Sequence, residues 1–187
     1  MTASRARRPK APGISRNVET EEMIRVDHAG EYGAMRIYQG QLAVLEAFSG
    51  DAKALAAIRR MAEQESRHLE RFSSLVNERQ VRPTLLSPIW DAAGFALGAA
   101  TALLGSRAAM ACTAAVEEVI DEHYGRQLER LDSDPELKAA VAEFRADEIA
   151  HRDEALAHGA EQAPAYRLLS GGIKAGCRLA IRLSEKI

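Results

Sequence analysis

The chain has 187 residues, with 25 Lys and Arg against 27 Asp and Glu and a net charge of −2. That length supports one domain with a substantial core, and the charge balance excludes the strongly basic signature of a nucleic-acid binder. Hydrophobic residues make up 47% but aromatics only 5%, a balance that favours helices over strands because β-branched and aromatic residues are the strand formers.

Residues 1–18, MTASRARRPKAPGISRNV, carry Arg5, Arg7, Arg8, Lys10 and Arg16 and no acid, and lack the apolar run of a secretory signal. They read as a disordered basic tail ahead of a single domain over 19–187; a very short organelle transit peptide or a membrane-touching arm is the alternative. A first helix is expected from about Val18 to Phe48, ending near Ser49-Gly50. Asp51 suits the N-cap of a second, running to about Arg79. Pro83 and Pro88 then break the chain before an apolar stretch from Ile89, which leads into a helix carrying VEEVIDEHYGRQLERL. Asp134-Pro135 is an N-cap followed by proline at the first helical position, and the helix it opens runs to about Ala157. Gly159 and Pro164 close it, and a C-terminal helix completes an all-α chain with no period-2 alternation. Cys112 and Cys177 stand far apart outside any CxxC or Cys/His cluster and read as reduced thiols.

The chain repeats itself. Aligning Glu31 with Glu117 also aligns Tyr38 with Tyr124, Gln41 with Gln127 and Leu42 with Leu128. Glu-x-x-His occurs twice, as Glu65/His68 and Glu148/His151, each Glu fourteen residues after the N-cap candidates Asp51 and Asp134. The chain thus reads as two copies of a helical hairpin, each with a lone Glu on its first helix and Glu-x-x-His on its second. Positions i and i+3 lie roughly 60° apart on a helix, so each Glu/His pair can face one space. A carboxylate beside a neutral imidazole suits a first-row metal, iron and manganese alike. One such motif is a common solvated charged face. Two at matched registers, each with a matched lone Glu, give four Glu and two His from four helices: Glu31, Glu65, His68, Glu117, Glu148 and His151. That is the ligand set of the ferritin-like di-iron or di-manganese four-helix bundle. Ala29, Gly30, Gly33 and Ala34 around Glu31, and ACTAAV before Glu117, are small or apolar surroundings in which a Glu needs a partner. Glu118, turned about 100° from Glu117, belongs to a helix interface or solvent.

VDHAGEYGAMRIYQGQLAVL (26–45), AEQESRHLERF (62–72), ACTAAVEEVIDEHY (111–124), FRADEIAHRDEALAHGA (144–160) and APAYRLLSGGIKAGCRLAIRLSEKI (163–187) resemble the demethoxyubiquinone hydroxylase family of ubiquinone biosynthesis, from about residue 20 to the end. The resemblance implies two irons per chain, bridged by Glu65 and Glu148, with Glu31 and His68 completing one shell and Glu117 and His151 the other. It implies an O2-dependent monooxygenase that hydroxylates the ring of a polyprenylated demethoxyquinol (3-demethoxyubiquinol), with electrons from NADH or reduced quinone. It further implies a lipid-binding ubiquinone-biosynthesis partner protein. No ligand role attaches to Asp27 and His28, which read as groups orienting the ligands or packing the helix. His123 and Tyr124 read as lining a quinone pocket, relaying electrons and protons, or packing the core; His158 suits a helix C-terminus.

Substrate access draws on the remaining segments. Residues 92–106, AAGFALGAATALLGS, are uncharged but shorter than the ~20 residues a span needs. They read as an interfacial apolar helix with Trp90 at its boundary, or as a buried core helix. Arg167, Lys174, Arg178, Arg182 and Lys186 recur at helical spacing, near Leu168, Leu169, Ile173, Ile181 and Leu183. A basic amphipathic C-terminal helix suits an anionic membrane surface, where a polyprenyl quinone would be found. The expected location is therefore peripheral, on the cytoplasmic face of a bacterial plasma membrane or the matrix face of the mitochondrial inner membrane. Iron storage in a ferritin-like shell shares the ligand set but needs a polar exterior. A non-catalytic membrane scaffold would not need the paired motifs.

Overall fold

The computed structural model describes residues 18–48 and 50–187; the basic tail inferred for residues 1–18 lies, except for Val18, outside them. Six helices follow in order: α1 Val18–Phe48, α2 Ala52–Glu78, α3 Ser87–Leu103, α4 Ser106–Leu128, α5 Pro135–Ala157 and α6 Tyr166–Lys186, with a 3₁₀ turn at Ala160–Gln162. Among the described residues there is no strand. Asp51 and Asp134 are the N-caps of α2 and α5, each accepting from a backbone N–H at 3.1 Å, that of Ala54 and of Leu137. Arg79, at the C-cap of α2, binds the Asp134 carboxylate and so ties the end of one helix to the start of another.

α1 pairs with α2 and α4 with α5, and the two hairpins face each other. Two apolar clusters close the ends of this bundle. Leu45, Ile58, Met61 and Met110 belong to one; Ile24, Phe72, Leu75, Leu137 and Phe144 belong to the other. Each of those buried side chains contributes about 1.5–3 kcal/mol. Glu65 lies in sequence between Met61 and Phe72, and Glu148 between Phe144 and Ala155, so each helix crosses from one cluster to the other at its carboxylate. The polar centre is thereby sealed at both ends by hydrocarbon.

α3 and α6 lie outside the four-helix core, α3 against α1 and α6 against α4. Leu104-Gly105 separates α3 from α4, with Gly105 at φ 107°. α3 buries Gly94, Gly98, Thr101 and Ala102, while Ile89 and Leu103 stay exposed. One face of this helix is therefore core and the other an apolar surface. α6 departs from the expected basic stripe: Lys174 pairs with Glu118 and Arg178 with Glu122, both on α4. Ile173 is buried, and Leu168 and Leu179 are exposed. No helix among the described residues is long and apolar enough to cross a membrane.

Candidate metal centre

All six residues singled out by the repeat meet in the middle of the bundle and are buried, with relative exposures of 1–3%. They sort into two groups whose ligand atoms lie within 4.8 Å of one another: Glu31, Glu65, His68 and Glu148, and Glu65, Glu117, Glu148 and His151. Glu65 and Glu148 belong to both. His68 turns Nδ1 inward, 3.2 Å from Glu148 Oε1 and 3.5 Å from Glu31 Oε2. His151 does the same, 3.2 Å from Glu65 Oε1 and 3.2 Å from Glu148 Oε2.

The carboxylates are held from outside. Tyr38 donates to Glu117 Oε1 at 2.7 Å, and Tyr124 donates to Glu31 Oε1. The two tyrosines matched in the sequence thus serve the lone Glu of the opposite hairpin. The outer nitrogens of the imidazoles are also engaged. His68 Nε2 lies 3.0 Å from Asp147 Oδ2, and His151 Nε2 lies 3.1 Å from Gln64 Oε1. Asp147 and Gln64 were not singled out by the sequence reading. Each immediately precedes a motif Glu, and that matched register is the signal that could have found them.

Electrostatics asks for cations at this point. Burial first, and then the Glu148 carboxylate, raise Glu65 and Glu117 well above the usual carboxyl range. Burial also raises Glu31. Burial would lower His68, but the Glu148 and Glu31 carboxylates overcome it and push the imidazole up to about 12. Burial would raise Glu148, yet the two imidazoles hold it at about 2. Four carboxylates carry 4 × (−1) = −4 when ionised, which two divalent cations, 2 × (+2), would neutralise. Glu65 Oε1 and His68 Nδ1 are buried with no hydrogen-bond partner, although both sit among polar atoms. Atoms converging without hydrogen-bond geometry suit coordination by a metal, and the mixed carboxylate and imidazole donors fit first-row ions.

The remaining polar residues have other places. Asp27 is buried, accepting from Gln127 at 2.8 Å and meeting His123 Nε2 at 3.1 Å. Gln41 makes the corresponding reach from α1 to Ala109 O and Thr113 Oγ1 on α4. These contacts lock α1 to α4. His28 is half-buried, and burial lowers its pKa. His158 is the C-cap of α5. Cys112 and Cys177 are both free thiols, and burial pushes them up to about 12 and about 11.

Beside the centre lies a cavity of about 530 Å³ between α1, α3, α4 and α6. Gly30 and Ala34, one and three residues from Glu31 in the chain, and Val116 and Ile120, one and three residues from Glu117, line it; none of the six inward-facing Glu and His does. Its wall is glycine and hydrocarbon, with Trp90 donating to Ser184 Oγ at 3.0 Å at one side. Neither His123 nor Tyr124 lines it, so the quinone-pocket role considered for them does not match their placement. Ala93 on α3 and Gly172, Gly176 and Leu179 on α6 line the cavity and are exposed, which places its mouth between those two helices.

An all-α bundle with paired Glu-x-x-His motifs and two lone Glu turned inward defines the class of ferritin-like carboxylate proteins. Within that class the assignment is narrower. The family described as ubiquinone biosynthesis protein COQ7 matches residues 18–184, and the chain belongs to that family. It is 55% identical over 168 residues to the 3-demethoxyubiquinol 3-hydroxylase of Rhodospirillum rubrum, covering 89% of this chain and 78% of that protein. It is 51% identical over 172 residues to the human NADPH-dependent 3-demethoxyubiquinone 3-hydroxylase, mitochondrial, covering 89% and 77%. The 5-demethoxyubiquinone hydroxylase, mitochondrial, of Saccharomyces cerevisiae is 41% identical over 183 residues, covering 89% and 78%.

Proposed function

We propose that this chain hydroxylates the ring of a polyprenylated 3-demethoxyquinol with O2, using two irons held by Glu31, Glu65, His68, Glu117, Glu148 and His151. The observation that carries the reading is the meeting of those six buried side chains beside an apolar cavity that opens at the surface. Two ferrous ions held by these residues would supply the electrons for splitting O2, with one atom going to the ring carbon and the other to water. Reduced nicotinamide nucleotide or the quinol would restore those electrons. Glu65 and Glu148, common to both ligand groups, are the two carboxylates that would be shared between the ions. Tyr38 and Tyr124 fix the two lone carboxylates in orientation. The cavity takes the quinol, its hydrocarbon wall excluding water and admitting the prenyl tail.

The surface around the mouth fits this substrate. Ile89 and Leu103 on α3 and Leu168 and Leu179 on α6 are exposed, beside the exposed Arg167, Arg182 and Lys186. Apolar side chains with a fringe of cations suit peripheral docking on an anionic bilayer, the cytoplasmic face in a bacterium or the matrix face in a mitochondrion.

The deciding experiment is the quinone profile, by mass spectrometry, of host cells lacking the gene and grown in air. The wild-type chain should restore ubiquinone, and Glu148→Ala should leave the quinone that is one methoxy group lighter. Restoration by Glu148→Ala would end the reading. A second variant tests the cavity. A Cβ at Gly176 meets nothing within 4 Å, and leucine there gains roughly 0.8 kcal/mol of helix propensity. The fold should persist, with hydroxylation of the long-tailed substrate down at least about tenfold. Unchanged turnover would place the substrate elsewhere.

A further inference from the structure

The centre is nearly symmetric, and one pair of residues breaks the symmetry. In the repeat, Gln64 and Asp147 occupy the same register, each directly before its motif Glu. They cross the bundle reciprocally: Asp147 Oδ2 meets His68 Nε2 at 3.0 Å, and Gln64 Oε1 meets His151 Nε2 at 3.1 Å. With a metal ion on Nδ1, the single proton of each imidazole would sit on Nε2 and be donated outward. One imidazole therefore donates to a carboxylate and the other to a neutral amide. A second difference runs the same way along the chain. Phe144, four residues before Glu148, stacks on His68 with ring centroids 4.1 Å apart; the matched residue in the other half is Met61, whose sulfur faces the Tyr38 hydroxyl.

We propose that Asp147 makes the two metal positions unequal, so that the position formed by Glu31 and His68 with Glu65 and Glu148 fills first and holds its ion more tightly. A carboxylate accepting from Nε2–H draws the proton toward itself and puts electron density on Nδ1, the donor atom. An amide oxygen carries no net charge and does this weakly. Partners of this kind outside the ligand shell change metal affinity by about 10–100-fold. Asp147 also brings a fifth negative charge to the Glu31 and His68 side alone. It is half-buried, so its charge reaches the centre mainly through the imidazole. Asp147 is a positioning residue: it acts through His68. The proposal rests on the two-iron reading above.

Isosteric exchanges test it. Asp147→Asn keeps an oxygen that can accept from Nε2–H and removes only the charge; Gln64→Glu adds a charge on the other side. Metal-stripped full-length protein is titrated with Fe(II) without oxygen, by calorimetry, with Mössbauer spectra of ⁵⁷Fe at one and two equivalents. Wild type should bind two ions in two resolved steps with distinct spectra. Asp147→Asn should weaken the tighter step about 10–100-fold and leave the weaker one in place; Gln64→Glu should tighten the weaker step by a similar factor. Two ions bound in a single step by wild type, or an Asp147→Asn isotherm identical to wild type, overturns the proposal and leaves the two-iron reading standing. A flat wild-type isotherm overturns both.

Discussion

Replacing Glu65 with glutamine is expected to abolish hydroxylation and, in the metal-free protein, to make the fold more stable. Both effects have one cause. Glu65 is 1% exposed and shares its space with Glu31, Glu117 and Glu148. Burial first, and then the Glu148 and Glu31 carboxylates, raise its pKa well above 4.5, so the metal-free fold holds a proton there more tightly than the unfolded chain does. A folded pKa raised in this way contributes its stability below about pH 4.5 and loses it as pH rises toward the folded value. Glutamine has nearly the same shape and carries no such dependence. The advantage of Glu65→Gln should therefore be absent below about pH 4.5 and widen as pH rises above it toward the raised folded value, reaching the ~1–4 kcal/mol typical when a buried charge is replaced. Thermal unfolding in chelator at several pH values reads this directly. Adding Fe(II) without oxygen should reverse the order. Wild type gains about 2.7 kcal/mol when free metal stands at a hundred times its dissociation constant, and the variant, missing an oxygen donor common to both ligand groups, gains much less. A variant less stable than wild type in chelator at pH 8 would show that the carboxylate cluster is not under strain. Equal gains on adding iron would remove Glu65 from the metal site.

The sequence exposed the features that depend on local spacing. Asp51 and Asp134 were readable as caps because capping needs only a carboxylate three residues before a free N–H. The six inward-facing residues were readable because i and i+3 share a helix face and because the pattern occurs twice at one register. What crosses between helices left weaker traces. Tyr38 and Tyr124 were visible as matched residues, but that each serves the Glu of the other hairpin depends on how α1 meets α4. Asp147 reaches His68 across the gap between α2 and α5, and the register it shares with Gln64, directly before a motif Glu, is the only trace of this in the chain. On α6, the period of the basic residues was right while their partners were not foreseeable: Lys174 and Arg178 face Glu118 and Glu122 because α6 lies along α4. A charge stripe looks the same in sequence whether it meets a membrane or another helix. The α3 segment is similar. Its composition fitted both a core helix and an interfacial one, and it combines both, with glycines toward α1 and larger apolar residues outward.

That glycine face makes Gly98 a position where one added methyl group is expected to destabilise the fold. A Cβ built there would run into the carbonyl of Ile37 on α1, with Ile37 C at 2.8 Å and Ile37 Cα at 3.0 Å. All three atoms are backbone, so no side-chain rotation relieves the contact. The neighbouring contacts are of the same kind: a Cβ at Gly94 would lie 2.9 Å from Gly33 O, and one at Gly40 would lie 2.8 Å from Ala99 N. α1 and α3 therefore touch backbone to backbone over two turns, and one methyl group must push them apart. Alanine raises helix propensity by about 1 kcal/mol relative to glycine, which works against the effect. Overpacking a rigid contact costs about 1–3 kcal/mol or more, and here the contact also seats Gly94 and Leu97, which wall the cavity, and Ile37, which precedes the Tyr38 that holds Glu117. The clash should win. Because the contact is backbone on backbone, the upper end of that range, about 3 kcal/mol, less about 1 kcal/mol of propensity, leaves a net loss of about 2 kcal/mol; at about 2–4 °C per kcal/mol for a chain of this size, Gly98→Ala is expected to lower the melting temperature by roughly 4–8 °C and to cut hydroxylation by spoiling the cavity wall. Gly172→Ala is the internal comparison: it is also helical, and its Cβ meets nothing within 4 Å, so propensity alone acts and the melting temperature should hold or rise. If the two substitutions moved the melting temperature in the same direction, backbone contact between α1 and α3 would not be what joins them.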